Sequence, residues 1–170
     1  MAIRPHLVSG SQAQGVLHVH SSPVALCPHI EWAAQACGAD SIFSWLPQSA
    51  MPGTKRAEVA WRGQLGTGVA LASRLARFGQ IRFEITEAAD GSQGMRYAYT
   101  PSLGSFSAAI GPHGDVMLSE NQLRHAMTQT DPSTLSSTID QLLGGPWDAE
   151  LEVFRYAETD GSVRWLHRVS

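Results

Sequence analysis

Hydrophobic positions along this chain alternate in some stretches and recur every three or four residues in others, and the switches between the two periods predict its elements. From Val16 to His20, Leu17 and Val19 alternate with Val16, His18 and His20, the period of a strand with one apolar face and one face carrying two imidazoles. Ser21, Ser22 and Pro23 end it. Pro28 suits the first turn of a helix and Gly38 its end, with Ile30, Ala33, Ala34 and Cys37 as the inward stripe. Ile42 to Leu46 reads as a short strand. Arg56 to Arg62 sets Ala57, Val59 and Trp61 against Arg56, Glu58, Ala60 and Arg62. After the glycine-rich turn Gly63 to Gly68, Leu71, Leu75 and Phe78 recur at helical spacing until Gly79, and Ile81, Phe83 and Ile85 then alternate with Arg82, Glu84 and Thr86.

Residues 14–87 thus give strand, helix, strand, strand, helix, strand. That order is the ferredoxin-like split βαβ plan (βαββαβ), with helices on one face of an antiparallel sheet and the first and third strands central. In residues 88–170, Asp90-Gly91 predicts a hairpin connection, and Met95 to Thr100, Ser105 to Ile110 and Val116 to Leu118 predict further strands. Ser119 and Gln122 form a capping-box pattern that opens a helix to about Thr128. Asp131-Pro132 opens a second helix, with Leu135, Ile139, Leu142 and Leu143 inward and Gly144-Gly145 at its end. Strands at Ala149 to Tyr156 and Val163 to Val169, joined through Asp160-Gly161, predict a terminal hairpin. The expected class is α+β: one domain over 1–170, whose second half packs on the sheet or continues it with added strands, two C-terminal helices and that hairpin.

Composition changes this picture little. A chain of 170 residues can bury roughly 70% of its unfolded surface, so a conventional apolar core needs no staples. A net charge of −3 lacks the basic footprint of a nucleic-acid binder. Met1 to Gly10 has no signal-peptide core and no apolar run approaches the ~20 residues of a membrane span, so a cytoplasmic protein is expected, with neither nucleic acid nor membrane as partner. Cys27 and Cys37 would lie about 15 Å apart along one helix, too far to bridge; free thiols suit a reducing compartment.

The reactive residue types concentrate between Gly15 and Gly38, which contains His18, His20, Cys27 and His29. His18 and His20 share a strand face and invite a metal reading with Cys27, His29 or His113, but the spacing matches no standard ligand framework, and no metal or cofactor is assigned. Cys27 at a helix start is a possible reactive thiol, since the helix dipole favours thiolate; a small buried hydrophobe is the commoner role. Gly63, Gly66 and Gly68 before a helix could cradle an anion, yet no Walker lysine follows and the preceding strand belongs to a hairpin. Trp61, Tyr97, Tyr99 and Phe106 alternate with polar residues as core aromatics do. If Leu17, Val19, Val59, Trp61, Ile81, Phe83 and Ile85 face the helices, then His18, His20, Glu58, Arg62, Arg82, Glu84 and Arg96 face the other way. Such a face is either solvated, with cross-strand ion pairs or a partner on it, or the floor of a polar cleft roofed by the second half of the chain. His18, His20, Glu58, Arg62, Arg82 and Glu84 are therefore the candidate ligand-binding residues; no catalytic residue is assigned.

Four blocks carry a resemblance: HSSPVALCPHIEWA (His20 to Ala33), PGTKRAEVAW (Pro52 to Trp61), RYAYTPSLGSF (Arg96 to Phe106) and GPHGDVM (Gly111 to Met117). Over residues 15–128 the chain resembles an uncharacterised actinobacterial family, domain of unknown function 3145. The resemblance implies an actinobacterial source and a soluble single domain, and brings no activity, cofactor or catalytic residue. Two functions are open at this level. One is a non-enzymatic binding or interaction module, able to pair as a homodimer through open sheet faces and edges. The other is an enzyme or binder for a small anionic ligand held on the polar sheet face.

Overall fold

The computed structural model describes residues 11–89 and 93–163. The chain runs β1 (Gln12–Pro23), a single 3₁₀ turn (Val24–Leu26), α1 (Cys27–Ala36), β2 (Asp40–Ser41), β3 (Leu46–Pro47), β4 (Thr54–Gln64), α2 (Thr67–Ala76), β5 (Arg82–Ala89), β6 (Gly94–Thr100), β7 (Gly104–Ile110), β8 (Val116–Met117), α3 (Glu120–Gln129), α4 (Leu135–Leu143) and α5 (Gly145–Val163). It is a mixed α+β structure built on one large antiparallel sheet of order β2-β4-β1-β5-β6-β7-β8, in which β3 also pairs with β4. The edge elements β2, β3 and β8 are two residues each, so residues 57–60 of β4 and 104–108 of β7 have a strand partner on one side only.

The apolar face is the one the alternation predicts. Leu17, Val19, Val59, Trp61, Ile81, Phe83 and Ile85 pack with Ile30, Ala33 and Ala34 of α1 and Leu71 and Leu75 of α2 in one buried cluster. Trp61 lies opposite Gly15 in the β1–β4 register. A Cβ at Gly15 would stand 1.7 Å from the Thr86 carbonyl oxygen and 2.8 Å from the Trp61 ring. The missing Cβ at Gly15 is thus what lets the Trp61 ring and the Thr86 carbonyl of β5 both come close to β1.

Helix starts follow their local chemistry. Pro28 sits in the first turn of α1, and Ser119 and Gln122 make the reciprocal capping box that opens α3. Two expectations need correction. Ile42 to Leu46 is not one strand: only the stubs β2 and β3 pair with β4, and Ile42 is 89% exposed. The terminal hairpin is absent, because Ala149 to Tyr156 lies within α5, a third C-terminal helix that continues through Asp160-Gly161 to Val163. Helical spacing wins there because it buries Leu151 and Phe154, three apart, while Val153, which the strand reading puts beside Leu151, is exposed. Asp90-Gly91 and the expected strand beyond Val163 lie outside the described residues.

A closed charge network on the polar sheet face

The second face of the sheet is roofed, at one end, by α5. β1 carries a bulge here: Val19 pairs with Phe83 and Ser21 with Arg82, so His20 is the extra residue. A bulge twists its strand and re-aims the side chains around it. His20, Ser21 and Ser22 are all buried. The buried Gln48 braces the bulge, donating from Nε2 to the His20 carbonyl at 2.7 Å and accepting the Ala50 amide at 2.9 Å.

Glu84 of β5 is the centre of the constellation. Its Oε2 accepts a hydrogen bond from His20 Nε2 at 2.7 Å and from Arg155 Nε at 3.1 Å. Its Oε1 accepts from Arg96 Nη2 at 2.7 Å and Arg155 Nη2 at 2.6 Å. The same two guanidiniums meet again on Asp148 Oδ1, at 2.6 Å from Arg96 and 2.8 Å from Arg155. Two carboxylates and two guanidiniums, one of each from the sheet and one of each from α5, therefore close a ring, with His20 attached at its buried end. A second link lies alongside: Arg82 Nε donates to Glu150 Oε1 at 3.2 Å and its guanidinium stands 5.0 Å from the centre of the Phe154 ring, while Glu150 Oε2 accepts from Thr100 and Ser102.

The electrostatics follow from this packing. Burial by itself raises the pKa of Glu84, but hydrogen bonds and charge from His20 and Arg155 outweigh it and hold the carboxyl well below the usual carboxylate range. Asp148 is lowered in the same way, burial opposing and Arg96 and Arg155 prevailing. Both arginines are raised: burial disfavours their charge, and Glu84 and Asp148 more than restore it.

Of the six candidate ligand-binding residues, the structure brings His20, Arg82 and Glu84 together under α5. His18 is half-buried between Glu58 and Glu84 in register and stacks on His20 with ring centroids 5.9 Å apart. Glu58 and Arg62 lie on β4, exposed and outside the ring. Glu150 and Arg155 fall in the expected strand Ala149 to Tyr156 and Asp148 just before it, so that reading does not bring them together; the seven-residue spacing of Asp148 and Arg155, two helical turns, is the signal that places them on one side.

The glycine-rich turn before α2 already holds an anion. Glu87 of β5, itself buried, accepts the amide of Gly66 at 2.5 Å and that of Gly68 at 2.9 Å. A carboxylate supplied by the chain thus takes the place a phosphate would take at this helix N-terminus. Cys27 is buried, with Sγ 3.8 Å from the Pro23 carbonyl oxygen, and burial pushes its thiol pKa up, which disfavours thiolate. Both cysteines are free. Thiol titration under denaturing, non-reducing conditions should find two groups per chain; none in freshly purified monomer would mean that the α1 geometry is wrong.

Among the described residues no cluster of three or more His, Cys, Asp or Glu could hold a metal ion, and no helix is long and apolar enough to cross a membrane. A family model described as a protein of unknown function (DUF3145) matches residues 16–168. No curated protein and no solved structure matches the chain.

Proposed function

The chain belongs to the DUF3145 family, and from that premise we propose that it is a non-enzymatic binding or interaction module. One observation carries this: beneath α5, the charged side chains of the polar face are spent on one another. Both oxygens of Glu84 are taken by His20, Arg96 and Arg155, and Arg82 and Arg96 are held by Glu150 and Asp148. An anionic substrate would have to displace two carboxylates tethered beside the site, and the carboxyl at the centre of the ring is a poor general base because its neighbours depress its pKa. Such a network specifies where α5 docks; catalysis needs groups poised near the working pH.

The core is ferredoxin-like in this proposal, supported by the antiparallel order β5-β1-β4-β2 with α1 and α2 on one face. Two free cysteines support a reducing, cytoplasmic setting. What is left for a partner is the other end of the polar face, beyond α5, where a concavity of about 740 Å³ includes Gln14, Val16, Ala60, Arg62 and Thr86 in its lining.

The competing function, binding of a small anion on the arginines of this face, is decided by thermal denaturation in phosphate or sulfate against chloride of equal ionic strength. An anion present at a hundredfold over its dissociation constant would add about 2.7 kcal/mol of apparent stability. We expect only the general stabilisation that these excluded salts give any folded protein, unchanged in size in Arg82→Gln. A rise that Arg82→Gln abolishes would replace the interaction module with a ligand-binding protein.

A further inference from the structure

We propose that the open end of the polar face is a self-association surface, on which a second copy of this chain docks about a two-fold axis; this rests on the interaction-module function and names its partner. An isologous contact requires one patch to carry both halves of every complementary pair. This patch does. Ile42, on its rim, projects with 89% of its surface exposed, more than any other large hydrophobic side chain among the described residues. Beside it, the concavity of about 740 Å³ has Val16, Ala60 and Ala88 in its lining, small apolar groups on neighbouring strands that leave room for an aliphatic knob. The same patch carries one charge of each sign. Asp40 of β2 and Arg62 of β4 are exposed register partners at the sheet edge, and both line the concavity. Two copies placed face to face would seat each Ile42 in the other's concavity and set each Asp40 against the other's Arg62. A uniformly acidic or basic partner would satisfy only one of these charges and oppose the other. A second copy satisfies both.

Sedimentation velocity on the full chain at micromolar concentrations tests this, because Ile42, Asp40 and Arg62 are exposed and their substitution leaves the core intact. The wild type should sediment as a dimer. Ile42→Asp, which buries a charge in the concavity, should sediment as a monomer. Arg62→Asp alone and Asp40→Arg alone each set like charges against each other and should weaken association by about tenfold or more. An equimolar mixture of those two charge variants should recover the dimer, since both intermolecular pairs then have opposite signs; general loss of fold or solubility cannot give that result. A wild-type monomer, a dimer untouched by all three substitutions, or a monomer that retains a small molecule in native mass spectrometry would overturn the assignment. The anion-stability measurement judges the interaction-module function separately, so the loss of one is distinguishable from the loss of the other.

Discussion

Replacing Glu84 by Gln should cost about 3–5 kcal/mol of stability, the scale on which buried ion pairs fail when one partner is removed. The substitution preserves shape and deletes charge, but its effect is greater than one missing ion pair. The amide nitrogen would turn a donor toward His20, Arg96 or Arg155, which are themselves donors at this site. Two guanidiniums would then share the single carboxylate of Asp148, which is 41% exposed. The pH dependence supplies a second readout. Because the folded-state pKa of Glu84 is depressed below its ordinary value of 4.5, the stability it contributes is fully present above that value. It is lost as pH falls toward the folded-state pKa. Chemical denaturation of the wild type should show stability declining through the acid range below about pH 4.5, and Glu84→Gln should show a flatter decline from a lower starting point. A variant within about 0.5 kcal/mol of wild type, the scale of indifferent surface changes, would mean that α5 is not held by this network.

Trp61→Ala should be of similar severity, about 3–5 kcal/mol, as expected of a large aromatic truncated within a packed core. Trp61 is 2% exposed and its ring lies on Gly15, so no neighbouring Cβ stands ready to fill the space. Its Nε1 is buried with no hydrogen-bond partner among the described residues, which makes Trp61→Phe the informative control. Phenylalanine keeps an aromatic ring and removes a desolvated donor, so its loss should be well under half that of alanine. Equal losses for the two variants would mean that a six-membered ring at this position recovers none of the packing, against the core role given to Trp61.

The sheet was legible because only one of its faces is apolar. Leu17, Val59, Trp61, Phe83 and Ile85 alternate with polar residues and go to the helices as their period requires. Of the polar residues left over, His20, Arg82, Glu84 and Arg96 share the second face and lie under α5. What covers that surface was not legible, for a physical reason. Over Leu151, Glu152, Val153 and Phe154 the strand and helix periods both find apolar residues, and Asp160-Gly161 imitates a hairpin turn. Helix wins because Leu151 and Phe154 on one side bring Asp148, Glu150 and Arg155 onto counter-charges contributed by strands far back in the chain, which no local window contains. Glu87 was missed likewise: its role as the cap of α2 exists only once β5 lies beside the glycine turn. That pairing also explains Gly68, where a Cβ would stand 2.4 Å from the carboxylate oxygen.

Arg155 closes the ring on Glu84 from 71 residues further along the chain. At about 5–20 residues per second of synthesis, that separation is roughly 4–14 s during which the sheet strands exist and their roof does not. Once Arg96 is made, and until α5 follows, Glu84 and Arg96 have only each other and His20 among the ring's members, and Leu151 and Phe154 are not there to cover the face. The residues of the apolar side, with α1 and α2, are therefore synthesised before those of α5. Any product of interrupted translation that stops short of α5 carries a polar sheet face without its counter-charges. It differs from the finished protein in an uncovered patch of unbalanced charge.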